Sequence, residues 1–459
     1  MSVLMRRSML VLGLLFGLLF AVGTAVLWRL QVNVLWAIVF AAFVVGLQYL
    51  LGPWIIDRVL KIGWHRPEEI GPEFAAFLTE SCRREGIPVP RFGIIEDGNP
   101  NAFTYGHTPS DSRVVVTRGL IDMLSEPERE AVVAHELGHI KHWDFVVMTV
   151  ASLVPLILYI LYTWTRKNRR DGMWVVALTS YAAYIISQYI VLFLSRIREY
   201  YADQYSSKVT GNPNALSTAL VSIAYGLAKA REPEAVEVDD KKKKKTPDYN
   251  PAGAIASMGF FSASGASQFA MSSCDNTGNF SHENMRRAMQ WDLVNPWAKW
   301  FELNSTHPLA AKRIAEIEKS ASPAGQSSAY QIEADRSEGY SAEFVQDIGI
   351  ALLPYVGVVV GLAVAFSRPH GAVHDLLRIS SLGWVLLFGG LGSLIRTIFS
   401  YKSDFRPAEI VSLVGETKVS HIRPIPAEIK GTIIGRGEPG AFWSSDLVLQ
   451  DQNGFITLL

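Results

Sequence analysis

Two histidines four residues apart, with a glutamate beside the first, are the residues of this 459-residue chain best suited to do chemistry: His135-Glu136-Leu137-Gly138-His139. On an α-helix, positions i and i+4 share a face, so both imidazoles can bind one divalent ion. Glu136, turned by one residue, then reaches a water beside that ion. Zinc suits nitrogen donors so placed, and the chemistry would be hydrolysis with Glu136 as general base. The helix that must carry them is signalled just upstream, where Ser125-Glu126-Pro127-Glu128 forms a capping box with proline in the first turn.

A catalytic zinc takes three protein donors and keeps a fourth position open, so a third residue must come from elsewhere. The metzincin pattern would need glycine at 142 and histidine at 145, but those positions hold His142 and Phe145, which excludes it. A glutamate on a second helix is the other common solution, and Glu199 in Arg198-Glu199-Tyr200-Tyr201-Ala202-Asp203 fits it. Asp203 lies one turn along the same face. It is either the alternative donor or, with Glu199 bound, an acceptor for the second nitrogen of a ligand histidine.

The elements around these residues belong in a membrane. Mean hydropathy is +0.18, and apolar residues bunch into six candidate spans: Met9 to Trp28, Val32 to Ile56, Phe145 to Thr165, Met173 to Leu194, Ile348 to Phe366 and Ile379 to Phe399. Gly389, Gly390 and Gly392 in the last span permit close helix packing. His139 and Glu199 fall six and five residues from the ends of the third and fourth spans. Both ligand helices therefore read as extensions of membrane helices, with the metal within roughly 10 Å of the apolar layer. Arg6, Arg7, Arg58, Lys61, Arg66, Lys141, Arg196, Arg198 and Lys402 gather on the catalytic side, which places it in the cytoplasm, whereas the Arg166, Lys167, Arg169, Arg170 cluster opposes that orientation.

Between the spans, residues 57–144 read as a mixed α/β unit. An amphipathic helix is expected over Glu68 to Glu85, followed by strands at Arg91 to Glu96, Ala102 to Tyr105 and Arg113 to Thr117. Residues 231–251, with the run Lys241 to Lys245, read as a solvated loop, or alternatively as an anchor for anionic headgroups. A linker follows at 319–343. The tail after Arg406 is β-rich, suggesting hairpins of a small barrel or sandwich at Glu428 to Ile434, Asp446 to Leu449 and Phe455 to Leu459. Lys+Arg and Asp+Glu both number 43, so no net field points to nucleic acid. Cys82 and Cys274 lie far apart and read as isolated reduced thiols.

With these residues in view, the chain resembles the HtpX-type membrane zinc proteases, related to the eukaryotic CAAX prenyl proteases, over about residues 1–318. Four blocks carry the resemblance: Asn101-Ala102-Phe103-Thr104-Tyr105-Gly106, His135 to Asp144, Arg196 to Asp203, and Ser305-Thr306-His307-Pro308 followed by Arg313. It implies Glu199 as third zinc donor and a strand at Asn101, Ala102 and Phe103 that binds substrate backbone. It also implies His307 near the reacting carbonyl, braced by Arg313; alternatively His307 caps a helix begun by Pro308. The fold class expected is a mainly α membrane protein, with a helical transmembrane bundle, a gluzincin-like α/β zinc protease domain and a small C-terminal β-rich domain. The divisions are a hairpin at 1–56, the protease core at 57–144, a second hairpin at 145–195, the second protease half at 196–318, the linker, a third hairpin at 344–400 and the tail at 401–459. One zinc ion and polypeptide substrates (membrane or misfolded proteins, cleaved in quality control) complete what the resemblance implies, with prenyl-peptide processing or a non-catalytic membrane scaffold as the alternatives. Membrane lipid as a partner and the cell (inner) membrane with a cytoplasmic protease domain follow from the spans and the basic residues at their ends. The last two spans and the tail depart from the family's four-span plan, and there a docking or regulatory module is expected.

Overall fold

The structure, a computed structural model, describes residues 34–60, 62–98, 100–167, 173–229, 282–319, 328–330, 332, 334, 339–367, 381–401, 403–414, 416–436, 447–451 and 455–458. The Met9 to Trp28 span, the 231–251 loop with its lysine run, and Cys274 lie outside the described residues.

The second apolar run forms α1 (Val34–Val59), followed by β1 (Gly63–His65), α2 (Pro72–Glu85), β2 (Arg91–Ile95), β3 (Ala102–Gly106) and β4 (Ser112–Thr117). Next come α3 (Arg118–Met123), α4 (Glu126–Lys141), α5 (Asp144–Lys167), α6 (Met173–Thr210) and α7 (Pro213–Lys229). After these, α8 (His282–Val294), α9 (Pro296–Leu303) and α10 (Ala310–Glu318) precede α11 (Ser341–Phe366) and α12 (Ser381–Ser400). The fold is mainly helical, and five described helices, α1, α5, α6, α11 and α12, are long and apolar enough to cross a membrane.

The chain packs as two units. One comprises the described residues up to 229 together with 302–332; the other comprises 282–301, 334–436 and 447–458. In the first, β1-β2-β4-β3 form one sheet in that order, with β2 and β4 parallel and the other pairs antiparallel. The three expected strands are present. β1 was not legible in sequence because three half-buried residues carry no alternation. The expected helix over Glu68 to Glu85 is shorter: Pro67–Glu69 is a 3-10 turn and α2 starts at Pro72, since proline lacks the N–H that would join the two. Its apolar face, Phe74, Leu78 and Cys82, is buried, and Gly86 closes it with φ 67°. Burial pushes the Cys82 thiol up to about 11, which keeps it inert.

Helix α4 begins at the expected capping box, where the Ser125 N–H donates to Glu128 Oε2 at 2.9 Å. Its central residues from Ala131 to Gly138 are buried. Gly138 is required where α4 meets α6, because a Cβ there would stand 3.0 Å from Ala202 Cα. Helix α6 runs unbroken from the membrane span through Glu199, as expected. The first ligand helix is different: α4 stops at Lys141, and Trp143 at φ 59° turns the chain before α5 starts. The two histidines therefore sit on a separate helix joined to the span by a tight turn, not on its extension.

In the second unit, α11 and α12 pack closely through glycines. Gly392 lies against the Leu353 carbonyl, but Gly390 faces open space, and the matching small residues on α11 are Gly357 and Gly361. A Cβ at Gly361 would meet Trp384 O and Val385 Cα at 2.7 Å. Gly361→Leu is accordingly expected to destabilise this hairpin by about 1–3 kcal/mol, read as earlier unfolding of the purified protein in a detergent titration. The tail contains β5 (Arg406–Pro407), α13 (Ile410–Val414), β6 (Ala427–Glu428), β7 (Thr432–Arg436), β8 (Leu447–Gln450) and β9 (Phe455–Leu458). Its described strands make a parallel pair, β5-β6, and an antiparallel sheet β7-β8-β9 with a bulge between Ile433 and Gly435. Among the described residues the tail is β-rich as expected, as this parallel pair and three-stranded sheet.

Candidate active site

Helix α4 presents His135 and His139 on one face, with their Nε2 atoms 3.1 Å apart. Glu199, from α6, comes to meet them, its Oε2 lying 3.7 Å from His135 Nε2 and its Oε1 3.6 Å from His139 Nε2. Each ring is held from behind by a carboxylate. His135 Nδ1 lies 2.9 Å from Asp203 Oδ1, one helical turn beyond Glu199, and His139 Nδ1 lies 2.6 Å from Asp144 Oδ2.

With each Nδ1–H turned toward a carboxylate, the two Nε2 lone pairs and the Glu199 oxygens point into one small space lined by acceptors. Such an arrangement is repulsive without a cation. Tetrahedral donors at about 2.0–2.1 Å from zinc stand roughly 3.3–3.4 Å from one another, close to the spacings seen. The residues present therefore fit zinc, and His135, His139 and Glu199 are the group able to hold it. Burial holds the His135 imidazole below its usual pKa, against the opposing pull of Asp203, and so favours the neutral form that binds a metal.

The remaining expected residues gather at the same place. Glu136 is 2% exposed, and its Oε2 is a buried oxygen with no hydrogen-bond partner among the described residues. His307 Nδ1 stands 3.3 Å from Glu199 Oε2. The capping alternative for His307 is not realised, since α10 starts at Ala310 behind Leu309. Arg313, only 1% exposed, grips Asp203 with two bonds of 2.9 and 2.6 Å and reaches Glu199 Oε2 at 3.3 Å. Burial alone would lower its pKa, but the Asp203 and Glu199 carboxylates reverse that and hold the guanidinium above its ordinary range.

Asn101, Ala102 and Phe103 are all buried, and Phe103 belongs to an apolar cluster with Leu60, Ile62 and Val115. The part of the strand that lines the site is Thr104 to Gly106. Strand β3 is an edge strand. The Asn101 carbonyl accepts from the Thr117 N–H, so Asn101, Phe103 and Tyr105 turn their main-chain groups toward β4, and Ala102, Thr104 and Gly106 turn theirs away. The Ala102 N–H is already taken by Asn101 Oδ1, which leaves the Ala102 carbonyl and the main-chain groups of Thr104 and Gly106 to present the edge.

Sequence reasoning missed Asp144 and Arg198. The Trp143 turn swings Asp144 back onto His139, and Arg198 locks that turn by pairing with Asp144 and donating to the His142 carbonyl at 2.6 Å. An acidic residue just after the helix was the available signal, but nothing local showed the reversal. Asp144→Asn is expected to weaken zinc binding by about 10–100-fold, measured by competition with a chelator of known affinity.

The site opens into a cavity of about 410 Å³ whose walls include β3, α4, Glu199, His307 and two membrane helices, α1 and α5. Against known proteins, residues 72–321, more than half of the chain, match peptidase family M48. The chain belongs to this family. The M48 segment includes the complete His135, His139, Glu199 group as well as His307 and Arg313. The chain is 41% identical to the protease HtpX homolog of Methanothermobacter thermautotrophicus over 49% of its own length and 88% of that protein. It is 28% identical to the protease HtpX homolog of Thermoplasma acidophilum over 70% of its length and 98% of that protein. The crystal structure of S. mikatae Ste24p aligns at TM-score 0.42 and 17% identity over 68% of this chain and 65% of that one. The chain is thus an HtpX-type M48 protease, an integral membrane member of a metallopeptidase family, as the sequence resemblance implied.

Proposed function

We propose that this protein is a zinc-dependent endopeptidase that cleaves membrane or misfolded polypeptides at the cytoplasmic face of the cell membrane, in protein quality control. The observation that carries the proposal is the buried convergence of two imidazole nitrogens and a carboxylate beside the unpartnered Glu136 oxygen, at the mouth of a cavity walled by membrane helices. The chemistry supplied by one zinc ion, when bound to His135, His139 and Glu199, is acidification of a water and polarisation of a carbonyl.

Glu136 takes the proton of the attacking water and returns it to the leaving amine, for which its free Oε2 is placed. An extended substrate adds to the outward main-chain groups of Thr104 and Gly106, so binding depends on backbone more than on side-chain identity. His307, at the cavity wall, steadies charge developing on the carbonyl oxygen, and Arg313 holds Glu199 and Asp203 in position behind it. The basic residues near the span ends favour the cytoplasmic orientation.

Elemental analysis of the detergent-purified protein and casein digestion with and without chelator test this proposal. Zinc present and digestion abolished by the chelator are expected; digestion indifferent to chelator would reject it. A second reading, processing of prenylated peptides, is favoured by the apolar wall of Val45, Ile56, Phe145 and Met148. Faster cleavage of a farnesylated peptide than of its unlipidated twin would select it.

A further inference from the structure

The cavity does not end at the metal group. Along α5 it extends from Asp144 to Ser152, and along α1 from Ile56 up to Gln48 and Val45. At 1.5 Å per helical residue, Ser152 lies about 12 Å along its helix from Asp144, and Gln48 about 12 Å from Ile56, where the apolar run of α1 ends. The two walls agree, so the inner end of the cavity lies about 12 Å inside the apolar runs of both helices, beside the point where the His107 loop meets Tyr49 and Leu50 of α1.

At that depth Gln48 is out of place. The sequence around it, Val44 to Leu51, is otherwise apolar apart from Tyr49. Tyr49 donates its hydroxyl to the His107 carbonyl, whereas the Thr149 and Ser152 hydroxyls across the cavity are spent on carbonyls of their own helix, Phe145 at 2.7 Å and Thr149 at 2.7 Å. The Gln48 amide has no hydrogen bond to another described residue, and the residue lines the cavity and is exposed. A polar side chain turned into a cavity at membrane depth marks a binding function more often than a structural one.

A substrate anchored in the bilayer creates the need that this amide meets. To lie extended along β3, the end of a membrane helix must unwind, and each N–H and C=O it frees at hydrocarbon depth costs several kcal/mol unless satisfied. Thr104 and Gly106 satisfy those nearest the metal group. Farther in, the Gln48 carboxamide offers one acceptor and a donor pair, the complement of a peptide group.

We infer that Gln48 is a specificity-determining residue that hydrogen-bonds the unwound backbone of a membrane-anchored substrate, making the inner cavity selective for polypeptides that enter from the bilayer. This rests on the proteolytic function proposed above. It predicts that Gln48 acts on membrane-anchored substrates and not on the bond-breaking step.

The test uses the full chain in lipid nanodiscs with two substrates sharing one scissile sequence, a single-span membrane protein and a soluble peptide. For Gln48→Leu, which preserves volume, the ratio of kcat/KM for the anchored substrate to that for the soluble peptide is expected to fall about tenfold. Gln48→Glu, which keeps an acceptor, should recover part of the loss. An unchanged ratio, whether both rates hold or both fall together, would overturn the assignment. Wild-type cleavage of neither substrate would remove the proteolytic proposal itself, and this inference with it.

Discussion

Replacing Glu136 by glutamine is expected to lower proteolysis by about 10²–10⁴-fold while leaving zinc content at the wild-type level. The carboxamide has nearly the same shape and fills the same buried space, so α4 should not repack. It has no basic oxygen to accept the water's proton, and its NH₂ has nothing to deliver to the leaving amine. The donors that face each other come from His135, His139 and Glu199, and Glu136 stands outside that group. Metal binding and turnover should therefore separate in this variant. Elemental analysis beside a casein or peptide assay measures both, and full activity in purified protein would falsify the assignment of the general base.

Glu199→Ala should have the opposite signature, loss of the metal itself together with activity. The two histidines alone leave a site with two protein donors, one fewer than catalytic zinc uses. Global folding should survive, because Arg313 keeps its two bonds to Asp203 and α6 keeps its packing against Gly138. Wild-type protein should melt at a higher temperature with zinc than after chelation, since binding to the folded state alone stabilises it. The variant should show no such difference. A zinc content near one ion per chain in Glu199→Ala would point instead to Asp203, the other carboxylate on that face.

How much of this was legible beforehand follows from the range of the interactions involved. The capping box, the spacing of His135 and His139, and the placement of Glu199 and Asp203 one turn apart are all decided within a single helix. There a residue's neighbours in space are its neighbours at i+3 and i+4. The five described spans are equally local, since a run of about twenty apolar side chains is its own signal. Arg313 reaches the site from more than a hundred residues away, and it was found only through the family blocks, because no periodicity announces a guanidinium that must cross the chain to pair with Asp203.

The sequence alone therefore determined the candidate donors, the candidate general base and the membrane character, each written in one short stretch with its own period or length. Tertiary structure decided the rest. The left-handed Trp143 turn separates the histidine helix from its span and brings Asp144 onto His139, the backbone phase of β3 turns the main-chain groups of Ala102, Thr104 and Gly106 to the open edge, and the approach of α1 to α5 carries the cavity inward to Gln48. Each of these depends on a turn angle or a pairing between distant segments, and neither has a local sequence pattern strong enough to be read before the chain is folded.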